Sequence, residues 1–443
     1  MDKAAREQLA RHVLAYAEGD RTEVGVYSEN GALTRFTHGM LHQSVASQDL
    51  TVRVRAIVDQ RSGVSQTNVL DDKSLHDAMQ RAIALAKLAP KDPRQPALPG
   101  AARYGPIDGA YVPETAQATA HRRAVAAGEV LAVAESHELW AAGFVSTGEN
   151  GFTVVNTDGA NASFDGTDAA INVKMNGTDS SGYGEGFSPD VGAIDAAEVA
   201  RTSALKAMSS REPRAVEPGE WTVILEPAAF AELVSYLGEH FSAQSVDEGS
   251  SFLSDGLERT YTGETITICD DFANSFAPGM PFDYEGAPTA RLPLIEHGVG
   301  KAFVTDSYWA AKLGRANTGH ALPAPNAHGP QARNLVVDSG SKSSDQLIAE
   351  TKRGLLITRF WYIRTVDQKQ TIVTGMTRDG TFLIEDGKVK HGVHNMRFNQ
   401  SILDALRDCE LSNVQVRSAS YAHSVVAPTA KLARFRFTSG TTF

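Results

Sequence analysis

Apolar residues in the N-terminal part of the chain follow first the period of a helix and then that of a strand. A helix is predicted over residues 3–18, and strands are predicted over 23–28, 33–37 and 50–59. In the last of these, LTVRVRAIVD, apolar and polar residues alternate, which is typical of a half-buried strand. Residues 72–88 then carry one apolar stripe at helical spacing. These patterns predict an antiparallel sheet with helices.

The middle of the chain begins with a segment that disfavours both helix and strand. Residues 89–109 are rich in Pro and Gly, so we expect a surface crossing there. Helices are predicted over 114–136 and 192–210. Between them, three turn signals predict a run of hairpins: Thr157-Asp158-Gly159, Asp165-Gly166 and Asn176-Gly177.

The C-terminal half is predicted to be mostly β. After a linker at 211–220, a strand at 221–225 leads into a helix that starts at Pro227. Further strands are expected at 265–270, 292–305, 335–337, 355–366, 371–378, 381–385, 388–393 and 431–437. The sequences Arg378-Asp379-Gly380 and Glu385-Asp386-Gly387 each predict a hairpin turn. The fold class is therefore α+β, with an N-terminal domain at 1–95, a middle region packed with it at 96–215, and a β-rich domain at 216–443.

Composition narrows the choice of partners. The 443 residues carry a net charge of -11, which would repel phosphate backbones, so we expect no nucleic-acid partner. The sequence has no uncharged apolar run long enough to span a bilayer, and its first residues do not resemble a secretory signal. Only Cys269 and Cys409 occur, which favours a reducing cytoplasm over a disulfide framework.

The segment LVSYLGEHFS, residues 233–242, predicts a helix with an apolar face and a polar face. Its glutamate and histidine, Glu239 and His240, suggest a zinc peptidase helix, but such a helix needs two histidines one turn apart with the glutamate after the first. No second histidine lies within two turns. We therefore expect the face with Glu232, Tyr236, Glu239 and His240 to meet solvent or another surface.

A long loop in the C-terminal half contains further polar candidates. Asn317, Thr318, Gly319 and His320 lie among turn residues beside predicted strands, where binding clefts often form. They could donate hydrogen bonds to a peptide backbone, and an ordinary structural turn explains them equally well.

Several ordered blocks together resemble the TldD/PmbA metallopeptidase family, formerly called "modulator of DNA gyrase". The blocks FDYEG-PT, LIEHGVGKAFVTDSYWAAKLG and NTGHA follow one another in the family's order, and the early block EVGVYSENGALTRF is similar to its N-terminal domain. The resemblance covers nearly the whole chain. It implies that the C-terminal β-rich domain is barrel-like.

The family has two kinds of subunit, and the resemblance implies which kind this is. TldD-like subunits bind zinc through an HExxxH-type helix and a cysteine, whereas TldE (PmbA) subunits lack those ligands and pair with TldD. On this comparison Tyr236, Leu237 and Phe241 stand where His, Glu and His would be. Cys409 falls before the usual cysteine position, and His423 is the ligand-type residue in the expected loop.

The resemblance thus implies a cytoplasmic TldE-like subunit that binds no cofactor itself. Zinc is expected in a TldD-like partner, and the heterodimer is expected to act on peptides. Two alternatives remain. One is a homodimeric hydrolase that uses Glu239, His240 and His423, and the other is a non-catalytic modulator that acts by binding another protein.

Overall fold

The computed structural model describes residues 1–105, 107–419 and 424–441. An N-terminal sheet of six strands is followed by a C-terminal sheet of eleven. The helices are α1 (Lys3–Leu14), α2 (Asp72–Leu88), α3 (Pro113–Ala116), α4 (Ala120–Ser136), α5 (Ala196–Ser209), α6 (Pro227–Ser235), α7 (Ala243–Asp247), α8 (Ser307–Leu313), α9 (Ser344–Ala349) and α10 (Ile402–Ala405). Single 3-10 turns span Val191–Ala193, Gly238–Phe241 and Phe252–Asp255.

The strands of the N-terminal sheet are β1 (Arg21–Thr37), β2 (Met40–Val58), β3 (Arg61–Thr67), β4 (Trp140–Asn156), β5 (Asn161–Asn176) and β6 (Ser181–Ser188). Those of the C-terminal sheet are β7 (Gly219–Leu225), β8 (Ile268–Asp270), β9 (Leu292–Glu296), β10 (Val299–Gly300), β11 (Asn334–Val337), β12 (Arg353–Asp367), β13 (Ile372–Glu385), β14 (Lys388–Gly392), β15 (Met396–Ser401), β16 (Cys409–Ala419) and β17 (Ser424–Gly440).

The N-terminal sheet is built from two similar halves. Its order is β3-β2-β1-β4-β5-β6, so the antiparallel pair β1–β4 joins two three-strand meanders at the centre. Each half runs helix, three strands, helix: α1 to α2, and α4 to α5. In each half, the helix that follows the three strands packs directly against a glycine of the outer strand. A Cβ on Gly63 would lie 2.2 Å from the Ala82 carbonyl oxygen, and one on Gly182 would lie 2.1 Å from that of Ser203.

The C-terminal sheet closes partly into a barrel. Strand β7 pairs with β12 on one side and with β17 on the other, which closes the order β17-β15-β13-β12-β7. Strand β17 also pairs with β11 and β16. Buried aromatic rings fill the barrel, with Phe360, Phe398 and Phe435 in mutual contact at centroid distances of 4.8 to 5.7 Å. The α+β prediction with a barrel-like C-terminal part is confirmed.

Individual elements were predicted with mixed success. Helix α2 has the predicted bounds, and the turns at 157–159 and 385–387 lie between strands as expected. Two turn predictions are wrong. Asp165-Gly166 lies inside β5, and Asp379-Gly380 lies inside β13, where both residues have positive φ and interrupt the regular pairing with β12.

The domain division at residues 95 and 215 stays a prediction. The strands on both sides of residue 95 belong to one sheet. In the part of the chain that the structure describes, none of the helices combines the length and the apolar character that a membrane crossing requires.

Gly63→Ala should destabilise the protein, because its Cβ meets the backbone of α2, which cannot move aside without shifting the whole helix. We expect a loss of about 2 kcal/mol or more. Gly128→Ala is the matched control. It lies inside α4 with nothing within 4 Å of an added Cβ, and should stabilise by about 0.5–1 kcal/mol. Denaturant titration of the two variants measures both effects, and equal effects would contradict the packing argument.

Candidate functional site

The predicted helix through residues 233–242 is interrupted. Helix α6 begins at Pro227, where a proline costs no helical hydrogen bond, and ends at Ser235. A tighter 3-10 turn then carries Gly238 to Phe241. Glycine is a poor helix former, and its position here coincides with the change of geometry. The two polar residues of the turn therefore do not share one face.

His240 is buried, contrary to the predicted polar face. Its exposure is 3 %, its ring lies 5.5 Å from that of Phe252, and its Nδ1 atom has no hydrogen-bond partner. Burial lowers the pKa of His240 to about 4, so the ring is neutral at physiological pH. Glu239 remains exposed. The structure does not bring these two side chains together as an acid–base pair.

The positions that the resemblance assigns to zinc ligands are occupied by groups that do not fit a metal. The Tyr236 hydroxyl donates to the Ile363 carbonyl oxygen (2.8 Å), and Leu237 and Phe241 are fully buried in the C-terminal core. Cys409 is also buried, and burial raises the pKa of its thiol. Within the described ranges, no three His, Cys, Asp or Glu side chains are grouped as a metal site.

His423 lies outside the described residues.

Residues 317–320 form a turn that is held by hydrogen bonds of its own side chains. Asn317 accepts from the Gly319 amide (2.9 Å) and donates to the Ser307 hydroxyl (3.1 Å), and Thr318 exchanges hydrogen bonds with Thr305. A role for this turn in substrate binding stays a prediction.

His320 lies beneath that turn and is almost fully buried. Its Nδ1 atom hydrogen-bonds Thr318 (3.0 Å), and its Nε2 atom lies 3.4 Å from the Asp270 carboxylate. Burial alone would raise the pKa of Asp270, but the nearby His320 and a backbone hydrogen bond from Asn334 lower it to about 2. The contact between His320 and Asp270 holds the 317–320 turn against β8.

The polar face of α6 meets the N-terminal sheet at Glu232. Burial raises the pKa of this carboxyl to about 7; the charge of Glu185 adds to the effect and that of Arg359 opposes it. Glu185 accepts hydrogen bonds from Tyr183 (2.5 Å) and from Ser418. Strands β6, β12 and β16 thus converge with α6 on one partly buried polar cluster, the α6 cluster: Tyr183, Glu185, Glu232, Arg359 and Ser418.

A single carboxylate, that of Asp379, anchors this cluster. Its side chain has no exposed surface and contacts Arg359 through two nitrogens, one at 2.9 Å, and Lys174 at 3.0 Å. Ser181 donates a further hydrogen bond (2.8 Å). Burial opposes ionisation, yet the charges of Arg359 and Lys174 lower the pKa of Asp379 below its usual value. The contact joins β5 and β6 of one sheet to β12 and β13 of the other.

Arg359 lies close to two aromatic rings. Its guanidinium carbon lies 4.2 Å from the Tyr183 ring centre and 5.2 Å from that of Trp361, which is partly exposed. A cleft of about 560 Å³ opens beside Asp379, and Lys174, Arg378 and His394 are among its lining residues. The inter-sheet junction therefore offers charged groups next to open space.

A second charged junction lies where β1 and β2 meet the loop before α8. Arg55 of β2 contacts Glu285 at 2.8 Å and Glu23 at 3.9 Å, and Asp283 and Asp306 lie nearby. Burial raises the pKa values of Glu23 and Asp283 strongly, and that of Asp306 to about 6. Sequence reasoning missed this cluster because it placed Arg55 on the polar face of a half-buried strand. The loop covers that face.

Asp379→Asn should be strongly destabilising. The change removes a fully buried counter-ion and leaves the partly buried charges of Arg359 and Lys174 unpaired, a loss of about 3–5 kcal/mol. Asp386→Asn is the control, because Asp386 is an exposed turn residue with positive φ, a conformation that Asn tolerates. Thermal and denaturant unfolding of both variants test the prediction, and a loss below about 1 kcal/mol for Asp379→Asn would contradict it.

Glu232→Gln should change the pH dependence of stability. The pKa of Glu232 is raised in the folded protein from 4.5 to about 7, so its stabilising contribution is complete below pH 4.5 and is lost as the pH rises through 7. Relative to the native chain, the variant should gain on the order of 1–2 kcal/mol between pH 5 and pH 8. Unfolding titrations at both pH values measure the difference. The exposed Glu239→Gln should show no such gain, and parallel curves for both variants would refute the assignment.

Comparisons with known proteins agree on one family. The family model described as PmbA/TldA metallopeptidase C-terminal domain matches residues 218–439, and the model for domain 1 of the same family matches 22–86. Metalloprotease PmbA of Escherichia coli O157:H7 is 26% identical over 236 residues, which cover 52% of this chain and 49% of that protein. The PmbA homolog of Haemophilus influenzae is 26% identical over 214 residues, 47% of this chain and 45% of that protein. The chain spans about half the length of the curated relatives that it matches.

Two solved structures share the fold over their whole length. TldE from Thermococcus kodakarensis superposes with a TM-score of 0.89 at 22% identity, covering 98% of this chain and 100% of that one. A protein described as a proposed modulator of a DNA gyrase, from Thermotoga maritima, superposes with a TM-score of 0.88 at 19% identity and the same coverage. The matched family model, the relatives and the shared fold together show that the chain belongs to the PmbA/TldD metallopeptidase family.

Proposed function

We propose that this chain is the TldE/PmbA-like subunit of a heterodimeric TldD/TldE-type metallopeptidase, acts on peptides in the cytoplasm, and leaves zinc binding to its TldD-like partner. The observation that carries the proposal is the packing of α6 and the turn after it. Leu237 and Phe241 are fully buried in the apolar core, and Tyr236 is bound to backbone. A carboxylate or imidazole could replace the two buried residues only by losing its hydration.

This chain's own part would be to hold the peptide rather than to cleave it. Among the described residues, the only strand that pairs along β16 is β17; a single bridge between Ser412 and Lys342 occupies part of its other side, and β6 and α6 lie near it. Val414 and Val416 on this strand are 61% and 40% exposed. An extended peptide added along such an edge is bound through its backbone, so binding would depend little on its sequence.

The α6 cluster would orient that peptide next to the partner's metal. Zinc, when bound in the partner, supplies an activated water. The residues of this chain contribute a carboxyl with a pKa near neutrality, Glu232, and a guanidinium fixed by Asp379 and two aromatic rings, Arg359. These groups suit the polar ends or backbone of a peptide. The two buried cysteines agree with a reducing compartment.

Co-expression with a TldD-like subunit tests the proposal. We expect a 1:1 complex whose peptidase activity requires both chains and whose zinc content, one ion per heterodimer, is unchanged by His240→Ala or His423→Ala in this chain. Size-exclusion chromatography with light scattering, elemental analysis and cleavage of an unstructured peptide are the measurements.

Three results would contradict it. Full activity of the partner without this chain would leave no role for a second subunit. Stoichiometric zinc in this chain alone, lost in His240→Ala, would support the homodimeric hydrolase instead. A chain that binds its partner and leaves peptidase activity unchanged would support the non-catalytic modulator.

A further inference from the structure

The first half of β2 forms an open edge of the N-terminal sheet. Strand β2 pairs with β1 over its whole length, but β3 reaches only residues 52–58 of it. Every residue from Met40 to Asp49 is exposed, and no described strand pairs with their outer side. We call residues 40–49 the β2 edge. Its backbone presents a row of donors and acceptors that only another extended chain can satisfy in order.

The other half of the same sheet shows how such an edge is covered. The corresponding stretch of β5 begins after the β4–β5 turn and likewise lies beyond the reach of its outer neighbour β6. There another segment of the same chain, residues 110–112, covers the edge. Thr167 donates its amide to the Ala110 carbonyl oxygen (2.8 Å) and accepts from the Val112 amide (3.0 Å) at its hydroxyl, while Phe164 belongs to the same apolar cluster as Phe282. The described part of the chain provides no equivalent cover for the β2 edge.

The composition of the β2 edge is that of a pairing strand. Exposed edges are usually protected from other chains by Lys, Pro or inward charges. Residues 40–48, MLHQSVASQ, contain no Lys, Arg, Glu, Asp or Pro. Met40, Leu41 and Val45 are 61%, 46% and 45% exposed. Asp49, the last residue of the β2 edge, is its only charged residue of these types; nothing before it opposes the addition of a strand, and the apolar side chains would gain from being covered.

The charge beside this edge indicates which strand fits. A trough of about 630 Å³ runs along one face, lined by Val45 and Ser47 of β2 together with the carboxylates of Glu29, Glu149 and Asp168. None of its described lining residues is Lys or Arg, but Arg417, outside the trough, pairs with Asp168 at 2.7 Å, so the carboxylates without a cationic partner are those of Glu29 and Glu149. A second copy would bring the same carboxylates and a further net charge of -11 to the contact. A strand flanked by basic side chains is complementary to it.

We propose that the β2 edge is the site where a strand of the TldD-like subunit adds, so that the sheet continues from one chain into the other. This inference rests on the proposed heterodimer and specifies its contact. The added strand pairs with the backbone of residues 40–49 and sets Lys or Arg side chains over the trough.

The test measures binding of the full-length partner to the full-length chain. The double substitution Leu41→Lys and Val45→Lys introduces two edge lysines at exposed positions, which should weaken the complex by about tenfold or more in Kd. The matched control, Leu88→Lys and Leu205→Lys, alters two exposed leucines of α2 and α5 and should leave Kd unchanged. Hydrogen exchange provides a second measurement, because the amides of residues 40–49 should become protected when the partner is added.

The outcomes separate this inference from the proposed function. If the complex forms equally well with the double variant and residues 40–49 are not protected, the β2 edge is not the contact. The proposed heterodimer is unaffected by that result. A native chain that fails to bind the partner overturns both. A chain that instead dimerises with itself, and becomes monomeric on the double substitution, shows that the edge pairs with a second copy and overturns the assigned occupant.

Discussion

One buried carboxylate lies at the centre of the contact between the two sheets. Asp379 has no exposed side-chain surface, so its charge is tolerated only because Arg359, Lys174 and Ser181 satisfy it. Those partners come from both sheets. The contact therefore fixes the N-terminal sheet against the barrel, and with it the distance from α6 to β6 across which the α6 cluster forms.

The sequence predicts where helices and strands lie better than it predicts where they are interrupted. Asp-Gly signals were equally strong at 379–380 and 386–387, but only the second lies between strands. At the first, positive φ values disturb the pairing locally while β13 continues through. Local turn chemistry cannot show this difference, because it does not include the contacts of the folded protein, in which Asp379 binds Arg359 and Lys174 from other strands.

The same limit applies to the candidate site. The polar face of the 233–242 segment was read as one straight helix, and the change to a 3-10 turn at Gly238 placed His240 in the core. Leu237 and Phe241, by contrast, were correctly placed by their apolar character. Residues 40–49 were missed as a strand because they lack alternation; pairing with β1, not hydrophobic burial, makes them extended.

The central place of β17 has a consequence for the order in which the chain folds. Contacts in the N-terminal sheet join strands close in sequence, apart from the central β1–β4 pair, so this sheet can form early. The barrel is different, because β7 can pair with β17, the last of the described strands, only after some two hundred further residues have been made. During synthesis the exposed strands of the C-terminal half are therefore the part most dependent on rapid completion or on chaperones.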